Sequence, residues 1–202
     1  MKPFRTLTAP AVPFDLENCD TDRIVPARFL RRPRSEGYGQ FLFHDLREAD
    51  PDFVLGRPAH RGARILVAAG NFGCGSSREA AVWALAGAGF EAWIAPSFGD
   101  IFLENSFKNG VPAIVLPAPS VAALRSQLEA SPGAPVTIDL GRQVVIFPDG
   151  REEPFEVDPF RKACLLEGLD EIDLTRRHEG EIARWEARRQ GEWPWLGRGR
   201  AD

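Results

Sequence analysis

Cysteine is scarce in this chain: Cys19, Cys74 and Cys164 are too few and too widely spaced for a disulfide framework, and none belongs to a CxxC pair. That spacing gives no zinc or iron–sulfur ligand set, so any metal must come from elsewhere. Histidine is equally thin. His44, His60 and His178 share no metal-ligand spacing, and each reads as a surface or structural residue. Long apolar runs are missing too, because Arg, Asp, Glu or Pro interrupts every hydrophobic segment before the roughly 18 to 20 residues of a membrane span. Met1 to Pro10 carries only Lys2 and Arg5 and has no apolar core of signal-peptide length, so the expected location is the cytoplasm. Lysine supplies three of the 25 basic residues and arginine the other 22. With a formal net charge of -4 the chain is not a general nucleic-acid binder. Forked arginine side chains instead suit the carboxylates of small acids.

There is no internal repeat, and 202 residues fit one compact domain with small attachments, expected over 1–190 with a flexible or partner-docked tail at 191–202. Short apolar runs at 64–69, 92–95 and 113–116 read as buried strands. Between them, helices are expected from Ser76 to about Ala88 and from Ser97 to Phe107, with another at about 120–130. That alternation predicts an α/β layered fold. VTIDL, QVVIF and REEPFEV then follow, the first two joined by Gly141-Arg142 and the last two by Pro148-Asp149-Gly150. They predict an antiparallel meander whose first turn is a two-residue Gly-X turn. Asp158-Pro159 opens a helix that Gly168 stops, with Cys164 in its apolar face and so in the core. The N-terminal third is irregular apart from a strand at 12–14.

The segment GNFGCGSSREAA, residues 70–81, has two readings. In one, Ser76 and Glu79 form a capping box and Gly73 and Gly75 merely permit a tight turn. In the other, backbone amides and the helix dipole make an anion site, Arg78 grips a carboxylate, a neighbouring serine reaches the bound molecule, and Cys74 lines the pocket. A nucleotide loop is disfavoured, since the third glycine of GxGxxG and a following GK[ST] are both missing. A second candidate is NCDTDRIVPARFLRRPR: Asp20 and Asp22 precede Arg23, Arg28, Arg31, Arg32 and Arg34. It reads either as an Asx turn with a solvated basic loop or as a dicarboxylate-attracting surface whose acids orient some arginines.

Taken in register, NCDTDRIVP, PDFVL, NFGCGSSRE, IAPSFGDIFLENSFKNG and FRKACLLEGLDEIDLT resemble the small subunit of 3-isopropylmalate dehydratase, in the aconitase superfamily. The resemblance covers nearly the whole chain. It implies a swivelling β/β/α three-layer domain like the last domain of aconitase, with a mixed sheet plus the meander. It also implies a separate large subunit that holds a [4Fe-4S] cluster whose open iron acts as Lewis acid, with no metal on this chain. The reaction implied is dehydration of 2-isopropylmalate to 2-isopropylmaleate and rehydration to 3-isopropylmalate. Residue by residue, the resemblance makes Ser76 the base that takes a proton from carbon, Arg78 a carboxylate ligand, Ser77 an assistant, and Asp22 with a loop arginine, Arg34 or Arg28, an orienting pair. Cys74 and Gly75 would line the substrate. One departure is Ala80, where relatives commonly carry histidine. That leaves open a related hydro-lyase acting on methylmalate, citraconate or homocitrate-type acids, and the anion loop alone leaves open a non-catalytic binding module.

Overall fold

The computed structural model describes residues 1–193 and 195, in two compact units, Met1–Gly168 and Leu169–Asp202. The expected 1–190 body spans both units, and most of the expected tail lies outside the described residues.

The first unit is built on seven strands: β1 (Thr6–Phe14), β2 (Ile65–Ala68), β3 (Ala92–Ala95), β4 (Ala113–Val115), β5 (Pro135–Asp139), β6 (Val144–Ile146) and β7 (Glu152–Pro154). Their order is β4-β3-β2-β1-β5-β6-β7, parallel from β1 through β4 and antiparallel from β1 through β7. β1 joins the two halves. Thr6–Pro10 pairs with β5, whereas Ala11–Phe14 pairs with β2. Only its last three residues were legible as strand, because Pro10 and Pro13 interrupt a segment that alternation alone would mark. Both prolines lose a donor, yet the Pro10 carbonyl stays in use, accepting from Arg64 N at 3.0 Å where the partner strand changes.

The parallel strands are apolar throughout because both faces are covered. Leu66, Ala68 and Trp93 join one core with Val12 and Phe14, while Ile65, Val67 and Ile94 join the other with Leu7 and Ala9. The first core is closed by α3 (Glu79–Gly87), α4 (Asp100–Lys108) and the irregular segment containing α1 (Thr21–Ile24) and α2 (His44–Ala49). The second is closed by α5 (Ala118–Ala130) and α6 (Pro159–Glu167). The second unit holds α7 (Glu171–Arg176), started by a capping box between Asp170 and Asp173, and α8 (Glu179–Glu192). No helix among the described residues is long and apolar enough to cross a membrane.

Three local expectations fail. The meander's first turn is wider than Gly-X: Leu140–Gln143 links the strands, Gln143 adopts φ 55°, and Asp139 Oδ1 accepts from Arg142 N at 2.9 Å. Asx capping of the turn supplies what a primed two-residue turn would otherwise provide. Cys164 is half-buried rather than core, and Leu165 fills the core position. α4 starts at Asp100 after Gly99 instead of at Ser97, since the Ser97 hydroxyl accepts from Asn71 N at 2.8 Å and so serves the neighbouring loop.

Candidate active site

The two candidate stretches meet. Residues 17–22 run beside 70–76, with Asn18 N donating to Gly70 O at 3.0 Å, Gly73 N to Cys19 O at 2.8 Å and Thr21 N to Cys74 O at 3.0 Å. Thr21, 1% exposed, also donates its hydroxyl to Ser76 O at 2.9 Å. Asn71 Nδ2 donates to Asn18 Oδ1 at 2.8 Å. Gly73 and Gly75 both adopt left-handed backbone, φ 72° and 86°. At Gly73 a side chain is doubly excluded, because an added Cβ would fall 2.3 Å from Phe102 Cγ.

Ser76 does not cap α3. The helix begins at Glu79, and its cap residue, Arg78, is extended (φ -138°, ψ 103°) with no side-chain cap bond. The capping-box expectation therefore fails, and Glu79 accepts instead from Asn109 Nδ2 at 2.8 Å. The reason is the lacing of the two loops: Ser76 O is held by Thr21, which keeps residues 76–78 out of helical geometry. Arg78 accordingly precedes the first turn rather than sitting in it. Ser76 and Ser77 are exposed, and no hydrogen bond among the described residues uses the Ser76 hydroxyl or the amides of Gly75, Ser76, Ser77 and Arg78. Four successive amides ahead of a helix's positive end thus have no partner among the described residues.

Arg78 is mostly sequestered, its side chain 16% exposed, and forms an ion pair with Asp22, whose side chain is 52% exposed. Nη1 lies against Asp22 Oδ1 without an N–H aligned on it, so this buried nitrogen has no hydrogen-bond partner. Asp22 thus fixes the guanidinium's place across the two loops. The arginine that Asp22 contacts is Arg78, not one of the loop arginines expected beside it. Arg28 pairs with Asp45 and approaches His44 Nδ1 at 3.3 Å, and Arg34 stacks on the Trp83 ring at 4.5 Å. Asp45, held by Arg28 first and His44 second, has its carboxyl lowered below the usual range. His44, Asp45 and Glu48 converge closely enough to offer ligand atoms to a cation, and Arg28 already engages Asp45 and His44. Asp20 caps α1 through Arg23 N at 2.8 Å. The role of Thr21 was missed; its one signal was its place between two acids in the short DTDR run.

The chain's own donors do not fit an iron–sulfur cluster. Cys19 is fully buried, and burial, reinforced by Asp20, pushes its thiol up to about 12, against the thiolate that ligation needs. Cys74 is half-buried in the glycine loop, and Cys164 lies away on α6. Ala80, 6% exposed, packs into the first core.

Similarity to known proteins bears directly on this arrangement. The model of the aconitase C-terminal domain matches residues 1–119, a model described as LeuD_N matches 122–159, and the model of the C-terminal domain of the 3-isopropylmalate dehydratase small subunit matches 171–198. A 3-isopropylmalate dehydratase small subunit of Methylibium petroleiphilum is 50% identical, covering 97% of both chains. The chain belongs to this small-subunit family. A family member from Paramagnetospirillum magneticum is also 50% identical, over 97% of this chain and all of its own. The crystal structure of a 3-isopropylmalate dehydratase from Methanocaldococcus jannaschii superposes with a TM-score of 0.66 at 25% identity, covering 89% of this chain and 98% of that one. The family carries the aconitase C-terminal-type α/β fold expected from the sequence, and its name, small subunit, fits a site built on an open surface.

Proposed function

We propose that this chain is the site-completing subunit of a hydro-lyase that interconverts 2-isopropylmalate and 3-isopropylmalate through 2-isopropylmaleate in leucine biosynthesis, acting with a large subunit in the cytoplasm. Water leaves one carbon of the hydroxy diacid and returns to its neighbour, so each half-reaction needs a proton moved at carbon and a carboxylate held in place. A single observation carries the reading: Ser76, its hydroxyl uncommitted to the fold, belongs to a run of amides without partners among the described residues, two positions before an arginine that Asp22 holds.

In this reading Ser76 takes the proton from carbon. A serine hydroxyl is a weak base near neutral pH, so its alkoxide requires preorganised donors in a site closed to water. The amides of 75–78 and the Arg78 guanidinium supply such donors, and Ser77 adds a hydroxyl. Arg78 forks onto a substrate carboxylate, and Gly75 and Cys74 let the backbone approach the ligand. The arginine-bearing segment 28–34 contributes to side-chain selection. The [4Fe-4S] cluster belongs to the large subunit, where it supplies Lewis-acid chemistry at the hydroxyl.

Reconstitution tests this. The chain combined with its large subunit is expected to hydrate isopropylmaleate, and neither subunit alone should do so. Turnover by this chain alone would overturn the two-subunit reading. Faster turnover of methylmalate or a homocitrate-type acid by the complex would transfer the same site to a related hydro-lyase.

A further inference from the structure

Residues 27–37 form a largely exposed segment between α1, which carries Asp22, and the turn that packs on α3. An exposed segment of this kind is ordered only where something ties it down. Beside the Arg28–Asp45 ion pair and the Phe29–Phe41 stack, the chain's single tyrosine provides a tie to the middle of the segment. Tyr38, 3% exposed, donates its hydroxyl to the carbonyl of Arg32 at 3.0 Å, with the carbonyls of Phe29 and Leu30 alongside at 3.3 and 3.4 Å. Its ring meets Trp83 of α3 edge-on, with centroids 5.6 Å apart, and the far side of the segment returns to the same residue through Arg34, 4.5 Å from the Trp83 ring. Next to Tyr38, Gly39 lies so close to α3 that an added Cβ would stand 2.4 Å from Gly87 C. α3 therefore frames both parts: Arg78 stands at its start, Trp83 holds Arg34 midway, and Gly87 seats the anchor turn.

We propose that Tyr38, acting with Trp83, is a positioning residue that holds the arginine-bearing segment along α3 and thereby sets substrate affinity. The inference rests on the function proposed above for its affinity half only. The hydroxyl touches backbone and no reacting atom, so its loss should weaken ground-state binding without changing the chemical step.

Tyr38→Phe keeps the ring and removes the donor. Limited trypsin digestion of the isolated chain, with sites read by mass spectrometry, should show cleavage after Arg31 and Arg34 accelerated about five- to tenfold, while cleavage within 176–189 is unchanged; a net hydrogen-bond contribution of this kind gives a factor of that order. In the reconstituted complex KM for isopropylmaleate should rise by a similar factor, with kcat within about twofold of the parent. Equal cleavage rates in parent and variant overturn the anchor. Faster cleavage with unchanged KM, or a fall in kcat at unchanged KM, overturns the link to affinity. If the parent complex hydrates no isopropylmaleate, the function proposed above fails, and the cleavage comparison still decides whether Tyr38 anchors the segment.

Discussion

Arg78 and Asp22 form an ion pair across two loops that lie far apart in the chain, and the pair leaves a buried guanidinium nitrogen without a hydrogen-bond partner. In the proposed function this guanidinium, held by Asp22, meets a substrate carboxylate with its ordering cost already met by the fold. Arg78→Lys keeps the charge and loses the fork. KM for isopropylmaleate should rise about tenfold or more in steady-state assays. Asp22→Asn should raise KM less, and the double variant Asp22→Asn, Arg78→Lys should fall short of the summed effects, since both changes act on one guanidinium.

The glycine loop gives a stability contrast. Gly73→Ala places a Cβ 2.3 Å from Phe102 Cγ in left-handed backbone, whereas Gly75→Ala meets only Asp20 Cβ, at 3.4 Å. Denaturant unfolding should show Gly73→Ala losing roughly 2–4 kcal/mol, from overpacking and backbone strain together. Gly75→Ala should lose about 1 kcal/mol, from backbone alone.

Cys19 predicts a pH effect. Its thiol rises from 9.0 to about 12 in the fold, first through burial and then through Asp20, so the folded state holds the proton that the unfolded state releases. Its contribution to stability should be complete below about pH 9 and should fall as pH rises toward 12, seen as a Cys19→Ala variant whose stability declines less than the parent's over that window. In the folded chain at pH 8, Cys19 should resist iodoacetamide while unfolded chain reacts.

Much of this architecture was readable from local pattern. The runs at 65–68 and 92–95 are buried on both faces and that at 113–115 all but Val115, so apolar continuity marked them directly. β1 was mostly hidden, because its strand character comes from two partners on either side of Pro10 rather than from its own residues. Sequence chemistry singled out both stretches as candidates but not their contact with one another. SSRE satisfies a capping box on paper, but Ser76 O instead accepts the Thr21 hydroxyl from the other loop and the helix starts only at Glu79. Likewise, loop arginines are interchangeable in a one-dimensional reading, whereas Arg28 is engaged by Asp45 and Arg34 by Trp83, which leaves Arg78 to Asp22. Tertiary partners, absent from any local window, made these choices.

Ser76 provides the decisive measurement. In the reconstituted complex, Ser76→Ala should bind the large subunit and unfold as the parent does, while kcat for isopropylmaleate hydration drops by about 10²–10⁴-fold, the scale of a lost general base. A kcat within about twofold of the parent would contradict the account, for it would show that the Ser76 hydroxyl takes no part in the chemistry.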